Sequence, residues 1–157
     1  MNSSFEYRGR RFYCLAITRP EEFVAPIADR PFACLLWSHS PVREDERADL
    51  ATRLVSSRCR YAVCGGVECE ALHDDIDSAF IRPFMELAPE ADGRELVVTT
   101  WHDGESAEEV AFYFMRCALI EGVEFRDFLL LHIGGATPEH GAVDAALRRE
   151  VFAQPIS

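Results

Sequence analysis

The chain has 157 residues, 48% of them hydrophobic, which is the size of one ordinary domain and enough apolar material for a core. Its formal net charge of −11 argues against nucleic acid or an anionic membrane as partner, and fits a solubilising surface or a basic protein partner. All 16 cationic side chains are arginine and there is no lysine. That excludes a P-loop ammonium, a Schiff base or a catalytic lysine, and with them standard P-loop NTPases, aldolases and pyridoxal enzymes.

In chain order, Phe5–Tyr7, a turn at Arg8-Gly9-Arg10 and Phe12–Ile17 predict a β-hairpin or one longer edge strand. Pro20–Asp29, with two prolines, reads as a loop with a short helical turn. Four strand–helix pairs follow. The continuous apolar run Phe32–Trp37 predicts a strand buried on both faces. Ser40-Pro41 then offers an N-cap and a first-turn proline for a helix to about Ser57, with Ala48, Ala51, Leu54 and Val55 inward. The second strand, Tyr61–Val63, closes on Cys64-Gly65-Gly66 and leads to a helix from about Glu68 to Ile81, which Pro83 should end or kink. The third, Leu96–Thr100, runs through Trp101-His102-Asp103-Gly104 into the capping box Ser106-Ala107-Glu108-Glu109 and a helix ending near Gly122. The fourth, Phe128–Ile133, turns at Gly134-Gly135 into Thr137-Pro138, a cap-plus-proline start for a last helix with Val143, Ala146, Leu147 and Val151 inward.

This alternation predicts a single α/β domain over residues 1–157, with 1–30 the N-terminal strand or hairpin and loop, and 31–157 the four β–α units. The expected architecture is three-layer α/β/α around a mainly parallel four-stranded sheet of order 2-1-3-4, plus the N-terminal edge strand or hairpin.

Ligands of open parallel sheets bind beyond the carboxyl ends of the strands, where the order switches direction. With the order 2-1-3-4, His39 and His102 flank that point. Imidazole suits acid/base work because it ionises near neutral pH, and Asp103 is the nearest acid. His132 sits inside an apolar run, a strand further out, and reads as a structural residue bonded to backbone. The plainer view of all three is of polar groups filling loops. Cys64, before a helix N-terminus, would have its thiolate stabilised there and completes a candidate Cys64–His102–Asp103 set, against the alternative of a packed cysteine. Ligand contacts are expected from Ser38, Gly65, Gly66, Glu68, Trp101, His132, Gly134 and Gly135. The Gly-Gly pairs could let backbone N–H groups approach an anion, though neither fits G-x-G-x-x-G and Glu68 would repel a phosphate.

Cys69, His73 and Asp77 fall on one helix face and make a weak metal clip; a solvated face with Glu70, Asp74 and Asp75 is the stronger reading. No metal and no cofactor is therefore expected. The six cysteines show no CxxC or zinc-ribbon spacing, MNSSFEYRGRRF lacks a signal peptide's apolar stretch, and no apolar run reaches membrane-spanning length. Reduced thiols in a cytoplasm are the expectation.

Two stretches, YAVCGGVECEALHDDID (Tyr61–Asp77) and TTWHDGESAEEVAFYF (Thr99–Phe114), resemble a small bacterial family known as a domain of unknown function. The resemblance covers about a third of the chain. It implies a bacterial origin and a standalone small domain, and it brings no activity and no catalytic residue. Two functional classes follow. The favoured one is a non-catalytic partner-binding or regulatory protein of inhibitor or immunity type, supported by the charge and the lack of a complete catalytic motif. The other is a small hydrolase or transferase using His39, His102 and Asp103, with Cys64 or His132 assisting.

Overall fold

The computed structural model of the protein describes residues 2–27, 29–86, 96–135 and 137–153, with residues 82–86 by their backbone alone. Chain order is β1 (Ser3–Tyr7), β2 (Arg10–Ile17), a 3-10 turn at Pro20–Glu22, β3 (Phe32–Ser38), α1 (Glu44–Ser56), β4 (Cys59–Gly66), α2 (Cys69–Glu86), β5 (Val98–His102), α3 (Ala107–Arg116), β6 (Asp127–Ile133) and α4 (Glu139–Ala153). The strands form one six-stranded sheet of order β1-β2-β6-β3-β4-β5. All pairs are parallel except β1–β2, which is an antiparallel hairpin.

The fold is α/β, but the expected order is corrected. The four β–α strands run 4-1-2-3 rather than 2-1-3-4, and β2 extends the parallel sheet beyond β6. Burial explains the difference. Every residue of β3 and β6 is buried, whereas Val98–Trp101 of β5 are half-buried or exposed. A sheet covered on both faces places its most apolar strands centrally and tolerates polar residues at an edge. Thus VTTWH takes the edge beyond β4, and DFLLLHI takes the centre beside β3.

Helices cover both faces. On one, Leu50, Ala51 and Leu54 of α1 and Cys69, Leu72 and Ile76 of α2 pack on Cys34, Leu36, Ala62, Cys64, Leu129 and Leu131. On the other, Val110 and Phe114 of α3 and Val143, Leu147 and Val151 of α4 pack on Ala33, Leu35, Trp37, Tyr61, Val63, Phe128 and Leu130. This alternation is the period-2 pleat of buried strands. It assigns His39 and His132, which continue the second series, to the α3/α4 face.

Several element boundaries differ from expectation. Helix α1 begins at Glu44 with no side-chain cap on its N-cap residue, Arg43. Ser40 is diverted, its hydroxyl donating to the Gly134 carbonyl at 2.8 Å. Helix α2 runs through Pro83 to Glu86, so the loss of one backbone donor does not stop a helix anchored by Cys69, Leu72 and Ile76. The Ser106–Glu109 capping box forms as expected. Helix α3 ends at Arg116 rather than near Gly122, because Gly122 belongs to a separate tight turn closed by Val123 N–H on the Ile120 carbonyl. His102 lies within β5 rather than in the loop after it. No described helix is long and apolar enough to cross a membrane.

Candidate functional site

The switch of direction falls between β3 and β6. From β3 the chain steps outward through β4 and β5, then returns to the other side of β3 as β6. The residues flanking this point are His39 and His132. His39 follows β3 directly, and its backbone N–H extends the ladder onto the Ile133 carbonyl at 2.9 Å. His132 lies within β6, in register with Trp37 of β3 and Ala16 of β2. Glycines permit close approach on both sides of β3, Gly134 at the β3–β6 seam and Gly66 at the end of β4. Gly134 has φ +93°, and a Cβ there would fall 2.4 Å from Ser40 Oγ. Gly66, at φ +85°, would place one 2.2 Å from the Ser38 carbonyl oxygen. Both positions are closed to other residues by conformation and by space. Gly66 and Gly134 therefore serve close backbone packing at the strand ends, while Gly65 lies under the Trp37 ring.

Four side chains form a continuous hydrogen-bonded series. His132 Nε2 meets Asp144 Oδ1 at 2.8 Å, His132 Nδ1 meets His39 Nε2 at 2.8 Å, and His39 Nδ1 meets Thr137 Oγ1 at 3.1 Å. Asp144 sets the direction of the protons. Burial works against its charge, yet the hydrogen bonds from His132 and Cys14 hold its pKa below the ordinary carboxylate value. As an ionised acceptor it requires His132 to donate from Nε2, so His132 Nδ1 accepts from His39 Nε2–H, and His39 Nδ1 accepts from the Thr137 hydroxyl. The side chains of His39 and His132 are 0% and 1% exposed, and that of Asp144 is 40% exposed. Burial first, then the neighbouring His140 and His132, lower the His39 pKa to about 4, so His39 is neutral near pH 7.

A third imidazole completes the cluster. His140 stands one turn before Asp144 on the same face of α4. Its ring stacks on His132 at 4.2 Å and 12°, and lies 4.2 Å from His39. Its Nε2–H donates to the Gly135 carbonyl at 2.8 Å. The Glu139 carboxylate reaches within 3.8 Å of His39 Nδ1. On the β2 side, the Cys14 thiol donates to Asp144 at 3.4 Å, and burial together with the Asp144 charge pushes its pKa up to about 12, so it is a neutral donor. Trp37, the register neighbour of His132, has a buried indole N–H with no hydrogen-bond partner among the described residues.

The other candidates are placed apart from this cluster. His102 lies two strands from His39, about 10 Å of sheet at the usual strand spacing, and the Trp37 ring covers Gly65 of the strand between. His102 bonds Glu105 at 2.7 Å and Thr100 at 3.1 Å and packs on Tyr113; Asp103 is an exposed turn residue. Cys64 points to the opposite, α1/α2 face, where full burial pushes its thiol well above the ordinary range. A Cys64–His102–Asp103 set is therefore not assembled. Ser38, Val67, Glu68, Arg47 and Ile133 enclose only about 10 Å³, room for no more than about one water. Trp101 is exposed against the His73 ring. His73 pairs with Asp74 and Asp77, while Cys69 is buried at the start of α2, so those three make no metal clip. None of the six cysteines is disulfide-bonded.

The sequence signals His140 and Asp144 only by their spacing of four in the first turns of the last helix. Pairing them with His39 and His132 required the strand order.

An open, doubly wound α/β sheet with a buried histidine cluster at its switch point defines the class of molecule. The chain belongs to the family described as domain of unknown function DUF7684, whose model matches residues 12–150. No curated protein matches it.

Proposed function

We propose that this protein is a small enzyme of hydrolase or transferase type, with its acid/base centre at the carboxyl ends of β3 and β6. The observation that carries the reading is the series Thr137–His39–His132–Asp144, which links a partly exposed hydroxyl to a partly exposed carboxylate through two buried imidazoles. When His39 Nδ1 takes a proton from Thr137, or from a substrate or water in its place, His39 Nε2 passes its own proton to His132 Nδ1. The positive charge then rests on His132 beside the Asp144 carboxylate, where it is best stabilised. His39, in which burial disfavours the cation, serves as the transfer point.

The test is turnover of a panel of activated esters, phosphomonoesters and amides. Wild type should act on at least one class, His132→Gln should lose about 10²–10⁴-fold, and His102→Gln should retain the rate. Equal rates for wild type and His132→Gln on every substrate would overturn the reading.

A second reading, a regulatory protein for a basic partner, is favoured by the charge of −11 and the acidic first half of α2. Part of that acidity is used internally, since Asp75 pairs with Arg47, and Asp77 with Thr99 and His73. Salt-sensitive capture of a defined basic protein, with no turnover of the panel, is the result that selects it.

A further inference from the structure

Each imidazole of the cluster has one nitrogen tied to an outer partner. Asp144 takes Nε2–H of His132 and leaves Nδ1 as the lone-pair nitrogen. The Gly135 carbonyl takes Nε2–H of His140 and again leaves Nδ1. Thr137 engages Nδ1 of His39 and leaves Nε2 toward His132. One nitrogen from each ring lies within 4.8 Å of the others. A carboxylate or carbonyl holding the far nitrogen of a histidine is the usual outer support of a metal ligand, because it sets both ring orientation and tautomer.

We propose that His39, His132 and His140 bind one divalent first-row transition-metal ion, through His39 Nε2, His132 Nδ1 and His140 Nδ1. Three neutral imidazoles suit zinc or its neighbours and not the oxygen-seeking magnesium or calcium. Two imidazole nitrogens on tetrahedral zinc sit about 3.3 Å apart, given bonds of roughly 2.0–2.1 Å. The His39–His132 contact of 2.8 Å therefore needs to open by only about half an ångström. The protons balance without changing any imidazole's charge. His39 gives up its Nε2 proton to solvent and gains one at Nδ1, where the Thr137 hydroxyl can accept it, with the Glu139 carboxylate 3.8 Å away. The His39–His132 hydrogen bond thereby gives way to two coordinate bonds, so the relay and the loaded centre are two states of one site. Three protein ligands leave a fourth position for water or substrate, the pattern of catalytic rather than structural zinc.

The neighbouring group Cys14, His132 and Asp144 is the poorer host. Its thiol is held protonated, and its histidine and carboxylate already bond each other.

The proposal rests on reading this edge as the working site and adds the ion. It is tested on untagged, metal-stripped full-length protein titrated with zinc, and with cobalt(II) for its visible spectrum. Expected are one equivalent bound, a rise in Tm, and a cobalt spectrum of low coordination number. Asp144→Asn should weaken binding about 10–100-fold. His140→Ala, outside the relay, should abolish stoichiometric binding, while Cys14→Ser and His73→Ala should leave it intact. Wild-type binding by His140→Ala, or loss with Cys14→Ser, overturns the assignment, as does the absence of stoichiometric zinc in wild type. Low-field imidazole N–H resonances in the metal-free protein report the relay separately. If they persist while zinc fails to bind, the ion is wrong and the acid/base centre stands; if they are absent while zinc binds, the reverse holds.

Discussion

His132 at the end of β6 and His102 at the end of β5 project from the same face of one sheet, and each holds a carboxylate by a ring nitrogen. Their partners come from different distances along the chain. His102 is satisfied by Thr100 and Glu105, two and three residues away. His132 is satisfied by Asp144, twelve residues on, and by His39, which is 93 residues away. A strand-to-helix turn can close the first network by itself. The second exists only because β6 returns beside β3 and α4 folds back over both. Convergence of separate elements gathers several titratable groups at one point, whereas local closure satisfies a histidine from its own turn.

The sharpest way to break this comparison is Asp144→Asn. An amide N–H facing His132 Nε2 favours the other tautomer, placing a proton on Nδ1 against the His39 N–H and interrupting the relay. Turnover should fall about 10²–10⁴-fold, while the matching change at the other histidine, Glu105→Gln, leaves it unaltered. The next largest effect lies in the glycines. Gly134→Ala combines φ +93° with the clash on Ser40, and should cost about 2–3 kcal/mol in denaturant unfolding. Gly104, beside His102, has φ +73° but open space around it, so Gly104→Ala should cost only about 1–2 kcal/mol from conformation. Equal losses would mean that the β3–β6 seam is no tighter than the β5 turn.

The same contrast separates what the sequence made legible from what it did not. Apolar runs and the Ser106–Glu109 box mark the alternating elements because burial on both faces and helix capping are local demands. Strand order is a long-range property, and placing VTTWH next to β3 moved the switch point to the wrong pair of histidines. The polarity of that segment beside FACLLW and DFLLLHI carried the correction, since the most apolar runs belong in the middle of a covered sheet. His132 looked structural for the same reason: an imidazole inside an apolar run is read as core until a second strand and a helix are known to bring His39 and Asp144 to it. For Cys64, its side of the strand, not its place before a helix, decides whether the thiol can ionise.

Acid should act on the two regions unequally. His39 has a folded pKa of about 4 against an ordinary 6.5, so between these values the unfolded chain binds more protons. Its stabilising contribution is present above about pH 6.5 and is lost as pH falls toward 4. Asp144, also lowered, loses its contribution in the same direction. The groups facing His39 are His132, His140 and Glu139, with the Asp144 charge acting against the lowering. Metal-free protein should show a Tm falling from pH 6.5 to 4. His39→Gln should flatten that slope, and His102→Gln should not.

The smallest effect belongs to the local network. The Glu105 side chain is 43% exposed, so its contact with His102 is screened by solvent and by salt, and such pairs contribute about 0.2–1 kcal/mol. Glu105→Gln retains a hydrogen-bonding group of the same length, which places the expected loss near the bottom of that range. It should shrink further when ionic strength is raised from about 0.01 to 1 M, a change that shortens the screening length from about 30 to 3 Å. A loss above about 2 kcal/mol, unmoved by salt, would show that His102 and Glu105 are braced by more than the turn that carries them. In that case the distinction between a locally closed histidine and a convergent one would no longer rest on sequence separation.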